Sequence, residues 1–134
     1  RGVPMGAEIP AEEGISFLLQ ARADDASTAM RLQELQLIKG WLDQDGQKRF
    51  SVTTTAKAGI RGADALCSVY RDPDYDPAQP AYYYLRVLEL PSGRWSSMQC
   101  LDEDQATRPP ECKGQLNAIT TEMAWTSPIW LTPQ

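Results

Sequence analysis

Histidine is missing from this 134-residue chain. Because histidine titrates near neutral pH and is the commonest metal ligand, its absence excludes Ser-His-Asp hydrolysis, zinc-hydroxide sites and most general-base schemes. Catalysis would have to use carboxylates or a thiol. We therefore expect no catalysis by this chain alone and no cofactor. A stand-alone carboxylate enzyme is kept as a third hypothesis, which requires two acids converging in one pocket.

Cysteine is scarce: Cys67, Cys100 and Cys112 are the only three, and none forms a C-x-x-C pair. No histidine is available to activate a thiolate. Cys100 and Cys112 bracket a polar stretch that contains proline and is typical of a surface loop. A bridge there would contribute roughly 3 kcal/mol in the chain-entropy model. We predict this disulfide, with Cys67 buried and free; three reduced cysteines in a cytoplasmic protein are the alternative.

Long apolar runs and basic clusters are also lacking. The net charge is -5, and the 13 Lys and Arg residues are scattered singly, which argues against a nucleic-acid partner and against membrane insertion. The 42% of hydrophobic residues is a globular balance, and 134 residues suit a single core. The chain begins without an initiator Met or a signal pattern, so we expect it to be a piece of a larger protein.

Composition and the alternation of apolar and polar residues divide the chain into segments. We interpret residues 1–14, rich in Gly and Pro, as an irregular lead-in and residues 15–134 as one domain. Alternation predicts strands over residues 15–23, 66–70, 81–90, 94–100 and 119–131. Pro128 restricts the last of these to an edge or a bulge.

Residues 30–42 fit two structures. A helix could begin at Ser27 or Thr28, but Gly40 would weaken its interior and the Asp45-Gly46 turn leads into a β-rich run. We therefore favour a hairpin of residues 35–41 and 49–56 and keep the helix as the alternative. About seven short strands with little helix predict an all-β, antiparallel, immunoglobulin-like β-sandwich.

Two features of residues 70–90 indicate possible sites. Asp72, Asp74 and Asp76 have the spacing of the first half of a calcium loop, but Pro77 and Tyr83 stand where that loop needs Gly and Glu. Calcium is thus a weak candidate beside ordinary Asp-Pro turn chemistry. Strand alternation separates Tyr83 from Tyr82 and Tyr84, which favours a central strand with one face in the core over a continuous stacking platform.

Five blocks in order carry a family resemblance: GVPMG (2–6), LQLIKGW (35–41), DPDYDPAQ (72–79), AYYYLRVLE (81–89) and AWTSPIW (124–130). Together they resemble the C-terminal end of the bacterial domain-of-unknown-function family 3604. Members of that family are typically long, often exported, and similar to metal-dependent hydrolases of the polymerase-and-histidinol-phosphatase type. The resemblance implies that their histidine and carboxylate ligands lie upstream of this region.

The resulting hypothesis is a noncatalytic accessory domain of a periplasmic or extracellular protein, with the catalytic domain of the same polypeptide as its partner. Candidate interface or ligand residues are Arg86, Arg94, Trp95, Glu122 and Trp125, since Trp and Arg are common at interaction hot spots. Core filling by Trp and ordinary surface ion pairs are the structural alternatives. The alternative function is an independent ligand-binding module, for example one that holds a carbohydrate against an exposed indole.

Overall fold

The computed structural model describes residues 2–25, 30–112, 114 and 119–133. One α-helix, α1 (Trp95–Asp102), and a 3-10 turn (Pro110–Cys112) lie late in the chain. The remaining regular elements are the strands β1 (Glu8–Pro10), β2 (Phe17–Arg22), β3 (Leu32–Leu42), β4 (Lys48–Lys57), β5 (Ala65–Tyr70), β6 (Ala81–Glu89), β7 (Ser92–Gly93), β8 (Ile119–Thr120), β9 (Met123–Trp125) and β10 (Ile129–Thr132). Within the described ranges, no helix is long and apolar enough to cross a membrane.

The strands form one large and one small sheet. The large sheet has the order β1-β10-β6-β3-β4, with β9 pairing beside β10 on the same edge of β6. The small sheet pairs β2 with β5, and β7 and β8 make a short separate ribbon. The all-β prediction is confirmed. The sheets are not wholly antiparallel, however, because β1 runs parallel to β10.

The predicted hairpin of the ambiguous segment is confirmed as β3 and β4, each longer than expected. Its turn uses Gly46 at φ +72°, a conformation that other residues rarely adopt. The Asp43 carboxylate accepts hydrogen bonds from the backbone N–H groups of Asp45 and Gln47. The helical alternative is therefore wrong for the described part; Ser27 and Thr28 lie outside the described residues.

The core lies between the small sheet and the inner face of the large one. Phe17 of β2 packs on Tyr83 of β6, with ring centroids 4.5 Å apart. Leu35 and Tyr83 are almost completely buried. The buried apolar cluster consists of Ala11, Phe17, Leu19, Leu35, Leu37, Ala81, Tyr83, Leu85 and Leu131. The cluster residues within β2, β3 and β6 are spaced two positions apart, as expected for strands with one face in the core.

The predicted strand over residues 94–100 is wrong, because these residues form α1. The N–H of Met98 donates to the carbonyl oxygen of Arg94, which closes the first helical turn. Ser97 and Cys100 are the buried residues of this helix, and their spacing of three suits one helical face. Met, Gln and Leu are also good helix formers.

The predicted closing strand over residues 119–131 is interrupted. It is divided into β8, β9 and β10, with a break at residues 126–128 that includes Pro128. Thr126 bridges the break, since its N–H donates to Leu85 O and its Oγ1 accepts from Leu85 N, each at 3.0 Å. The break shifts the alternation, so Trp125 is exposed while Ile129 packs against the core.

The cysteine predictions are confirmed in part. Cys100 and Cys112 form the expected disulfide, which joins α1 to the 3-10 turn. Cys67 is free but exposed, so its predicted burial is wrong. The reason is strand alternation. Leu66 and Tyr70 of β5 pack against the core, and Cys67, which directly follows Leu66, therefore faces outward.

The segment expected to be an irregular lead-in supplies a strand. β1 pairs with β10 through Glu8 to Trp130 and Ile9 to Leu131. Ala11, directly after β1, is buried in the core cluster, and Ile9 packs against it. Residues 8–11 are therefore part of the packed domain.

Candidate functional site

The face of the large sheet turned away from the small sheet is rich in aromatic and apolar side chains. We call it the outer face. Residues directly opposite each other in an antiparallel pair project to the same side of a sheet, so the strand register defines its members. They are Phe50, Val52, Tyr82, Tyr84, Met123, Trp125 and Trp130.

The register arranges these residues in rows across the strands. One row runs from Trp130 through Tyr82 and Gly40 to Phe50. The next row passes from Tyr84 through Ile38 to Val52. Neighbouring strands lie about 4.8 Å apart, so each row places its side chains within contact range across the sheet.

The outer face is open to solvent although it is apolar. Phe50 is 77% exposed, Trp125 58% and Trp130 48%. The rings of Tyr82 and Tyr84 are nearly parallel, with centroids 6.3 Å apart, and Tyr82 lies 5.0 Å from Trp130. A Cβ on Gly40 would collide with the Tyr82 ring, so glycine permits that ring to lie across β3. The result is an exposed aromatic surface on the large sheet.

Arg86 is the cation of the outer face. Its Nε donates to Gln36 Oε1 at 2.8 Å, and Gln36 Nε2 in turn donates to Glu34 Oε1. Lys57 Nζ approaches Glu34 Oε2 at 4.0 Å. Among the described residues, the guanidinium is thus held by a neighbouring amide and has no direct carboxylate partner.

The five predicted interface residues lie in two places. Arg86, Glu122 and Trp125 lie on β6 or at β9, and Arg94 and Trp95 lie at the start of α1. Arg86 and Trp125 lie directly opposite each other in the β6–β9 pair, on the outer face. Glu122 precedes β9, and its carbonyl oxygen accepts from the N–H of Glu89. Arg94 and Trp95 begin α1, where Trp95 is 72% exposed.

Most of the outer face was not identified from the sequence. Alternation in β4 puts Phe50 and Val52 on one side of the strand, and alternation in β6 puts Tyr82 and Tyr84 on the side opposite Tyr83. The missing information was the register, which brings Trp130, Tyr82 and Phe50 into one row. Pairing of strands distant in sequence cannot be read from the period of any one of them.

A second cluster of polar groups lies inside the domain. Lys39 Nζ donates to Asp72 Oδ2 at 2.6 Å and to the Asp74 carbonyl oxygen at 2.8 Å. The Tyr83 hydroxyl donates to the same Asp72 oxygen at 2.6 Å. The ammonium also lies 5.0 Å from the centroid of the Trp41 ring. We call Lys39, Asp72 and Tyr83 the buried triad.

The buried triad fixes its own protonation. Burial raises the pKa of the Asp72 carboxyl, but the hydrogen bonds from Lys39 and Tyr83 outweigh burial and hold that pKa below its usual range. Burial and the hydrogen bond to Asp72 raise the pKa of the Tyr83 phenol far above its ordinary value. Tyr83 therefore stays protonated at neutral pH. The triad consists of an ion pair between Lys39 and Asp72 and a hydrogen bond from the Tyr83 hydroxyl to Asp72.

The calcium candidates are engaged with the protein itself. Asp72 Oδ1 accepts from the N–H of Asp74 at 3.0 Å, and Asp76 Oδ1 accepts from the N–H of Ala78 at 2.9 Å. Both are Asp side chains that bond backbone two residues on, the ordinary Asx-turn geometry. In the part of the chain that the structure describes, no three His, Cys, Asp or Glu side chains form a possible metal-binding group.

Comparison with known proteins gives a family. A family model described as a protein of unknown function, DUF3604, matches residues 1–61 and 51–133. The chain belongs to the DUF3604 family. Neither a curated protein nor a solved structure matches this DUF3604 chain.

Three of the sequence blocks of this DUF3604 chain meet in the buried triad. Lys39 and Trp41 come from the LQLIKGW block, and Asp72 comes from the DPDYDPAQ block, 33 positions later. A third block, AYYYLRVLE, supplies Tyr83 to the triad and Tyr82 and Tyr84 to the outer face. The blocks therefore include both the internal cluster and part of the exposed surface.

Proposed function

We propose that this chain is a noncatalytic accessory domain, the C-terminal part of a larger exported protein similar to metal-dependent hydrolases of the polymerase-and-histidinol-phosphatase type. Its outer face packs against the catalytic domain of that polypeptide and shapes access to the catalytic cleft. The observation that carries the proposal is the exposed aromatic surface of Phe50, Trp125 and Trp130 on the large sheet. Contiguous exposed aromatic surface with little charge is typical of an interaction site.

Two further observations support the proposal. The Cys100–Cys112 disulfide favours an oxidising compartment, periplasmic or extracellular, because cytosolic thiols are kept reduced. The chain contains no histidine with which to build a metal-dependent hydrolytic site of its own. Both fit a supporting part of an exported protein whose chemistry is performed elsewhere.

An immunoglobulin-like sandwich is the finer fold that we propose. The order β10-β6-β3-β4 corresponds to G-F-C-C′ of a variable-type sandwich, and the β2–β5 pair corresponds to B-E. In this assignment the outer face is the exposed side of the G-F-C-C′ sheet.

Oxidative footprinting tests the packing proposal. Hydroxyl radicals would be applied to the isolated chain and to the full-length protein, followed by mass spectrometry of oxidised Trp and Met. We expect oxidation of Met123, Trp125 and Trp130 to fall several-fold in the full-length protein. Trp95 and Met98 of α1, which are also exposed, serve as matched internal controls and should remain reactive. If oxidation of Met123, Trp125 and Trp130 did not fall more than oxidation of Trp95 and Met98 between the isolated chain and the full-length protein, the proposal would be contradicted.

A carbohydrate-binding module is the second candidate, and the near-parallel Tyr82 and Tyr84 rings beside Trp130 favour it. Sugar rings stack on such aromatic surfaces. In that case the outer face would remain reactive in the full-length protein, and soluble oligosaccharides would protect Trp130 from oxidation. The packing proposal predicts protection by the protein itself and none by added sugar.

A further inference from the structure

A cleft of about 830 Å³ runs along the free edge of the small sheet. Residues 12–20 line it without a break, including the outward-facing Leu18 and the inward-facing Phe17 and Leu19, and residues 2–5 also contribute to its lining. Side chains of both orientations can line one cleft only where the cleft follows the edge of the strand. The backbone of β2 is therefore the wall of this cleft.

The backbone of that edge has no strand partner. Across the described residues, β2 pairs with β5 alone, and no backbone hydrogen bond from residues 15–22 reaches another segment. In an antiparallel pair, alternate residues of an edge strand direct N–H and C=O groups away from the partner. These groups of β2 point toward the cleft and are available to a further strand.

The edge of β2 also lacks the features that normally prevent strand addition. Edges are commonly blunted by proline or by charged side chains, above all lysine. The exposed edge strand β4 carries Lys48, Arg49 and Lys57. The edge strand β1 ends in Pro10. The sequence of β2, FLLQAR, has no proline, and its one charge stands at the last position.

The chemistry of the cleft specifies what it can hold. Its floor is apolar, with Leu37, Leu85 and Ile129 among the lining residues. The charged residues that line it are Glu12 and Glu13, both exposed, and among the described residues neither forms an ion pair. An occupant therefore needs an extended backbone, apolar side chains at alternate positions and a cationic residue beside the two glutamates.

We propose that β2 and its cleft bind an extended, cationic segment of a separate protein as an added third strand. The backbone would pair with the free edge of β2, alternate apolar side chains would enter the cleft, and a Lys or Arg would contact Glu12 and Glu13. A second copy of this chain is disfavoured as occupant, because each copy has a net charge of -5 and the same acidic rim. This site is separate from the outer face and does not depend on the function proposed above.

The first test uses a fluorescent synthetic peptide of alternating Thr and Val with a Lys at each end, titrated into the chain. Two control peptides replace both Lys by Glu or the central Val by Pro. We expect binding of the Lys peptide, weaker binding of the Glu peptide and none of the Pro peptide, because proline removes a ladder hydrogen bond. No binding of the Lys peptide at about 1 mM, or equal binding of the Pro peptide, would overturn the proposal.

Charge reversal tests the acidic rim. The double variant Glu12→Lys/Glu13→Lys should bind the Lys peptide about tenfold more weakly, since two exposed attractions of up to about 1 kcal/mol each become repulsions. The matched control Glu103→Lys/Glu111→Lys makes the same charge change at exposed residues beyond the cleft and should bind as the unaltered chain does. Equal weakening in both variants would show a general charge effect and contradict the site.

Hydrogen exchange tests the strand itself. Amides of residues 15–22 that are not paired with β5 should exchange rapidly in the free chain and several-fold more slowly with the Lys peptide bound. Protection on the outer face with none at residues 15–22 would place the peptide elsewhere and refute strand addition. Sedimentation of the chain without peptide should give a monomer; a dimer with protected residues 15–22 would mean that a second copy is the occupant.

Discussion

The side chain of Lys39, which ends in a charged ammonium group, is only 10% exposed. Removing a charge from water costs several kcal/mol unless the charge is compensated. The compensation comes from Asp72, the Asp74 carbonyl and the Trp41 ring. Because Asp72 and Asp74 lie in the connection between β5 and β6, the pair ties this connection to β3. The same three-aspartate segment that suggested calcium thus holds a protein cation in place.

Removing one member of this pair should be far worse than removing both charges. Asp72→Asn leaves a buried ammonium without its counter-charge, and we expect a loss of about 3–5 kcal/mol in the free energy of unfolding. In Lys39→Met/Asp72→Asn, the Asn oxygen can still accept from Tyr83, so we expect at least about 2 kcal/mol of that loss to be recovered. Urea unfolding measures both.

Asp74→Asn is the matched control, because Asp74 contributes its backbone carbonyl to Lys39 and its side chain is free of that contact. We expect a change within about 0.5 kcal/mol. If Asp72→Asn and Asp74→Asn had equal effects, or the double variant were no more stable than Asp72→Asn, the ion pair would not have the role assigned to it.

Strand alternation could have revealed Lys39 before the structure was known. Once Leu35, Leu37 and Trp41 are assigned to the core, period 2 places Lys39 among them. A lysine on a core face requires an acidic partner, and its distance of 33 positions from Asp72 is what the sequence could not supply. The exposure of Cys67 could likewise have been predicted, because it follows from the core positions of Leu66 and Tyr70.

At the scale of elements, segments with clear alternation of apolar and polar residues were predictable, and segments without it were not. β2, β3, β4 and β6 have at least six residues each, so their periods outweigh the uncertainty of single positions. Residues 94–100 lack such clear alternation, because their apolar residues Trp95, Met98 and Cys100 are spaced by three and then two positions. In the structure, the disulfide joins Cys100 on α1 to Cys112 on the 3-10 turn.

The disulfide should therefore stabilise α1 locally. Among the described elements, α1 contacts the 3-10 turn, and none of its residues belongs to the core cluster. In Cys100→Ser/Cys112→Ser we expect hydrogen exchange of the α1 amides to approach that of an unprotected chain, since a bridge of this span contributes about 3 kcal/mol. Protection of β3 and β6 should persist.

Cys67→Ser is the control for this experiment, because it removes an exposed thiol from β5 without touching the bridge. Exchange of α1 and of the strands should match that of the unaltered chain. Loss of protection in β3 together with α1 in the double serine variant would show that the bridge supports the whole domain, contrary to the local role.

At the scale of the whole molecule, the lack of histidine determines how stability depends on pH. Because histidine is the side chain whose unperturbed pKa lies near neutrality, and this chain has none, the folded and unfolded states should bind nearly equal numbers of protons there. The shifted groups lie at the two extremes: Asp43, Asp64 and Asp72 have lowered pKa values, and Tyr75 and Tyr83 have raised ones.

We expect stability to be flat between about pH 5 and 9 and to fall on both sides. A carboxyl whose pKa is lowered by folding contributes stability above its unfolded pKa of about 4, and this is lost as pH falls through the folded pKa. A phenol whose pKa is raised by folding contributes stability below about pH 10, and this is lost as pH rises further. Urea midpoints measured across the pH range test both limbs.

The alkaline limb can be assigned with one conservative variant. Tyr83→Phe keeps the ring packed on Phe17 but removes the hydroxyl that Asp72 accepts, so we expect a loss of about 1 kcal/mol at neutral pH. Above about pH 10 the Tyr83 phenol of the unaltered chain ionises once unfolding exposes it, and this favours the unfolded state. The variant has no such phenol, so the two stability curves should converge. Tyr84→Phe, on the outer face, is the control and should leave the alkaline limb unchanged. Parallel curves for Tyr83→Phe and the unaltered chain at high pH would mean that the buried triad does not govern this limb.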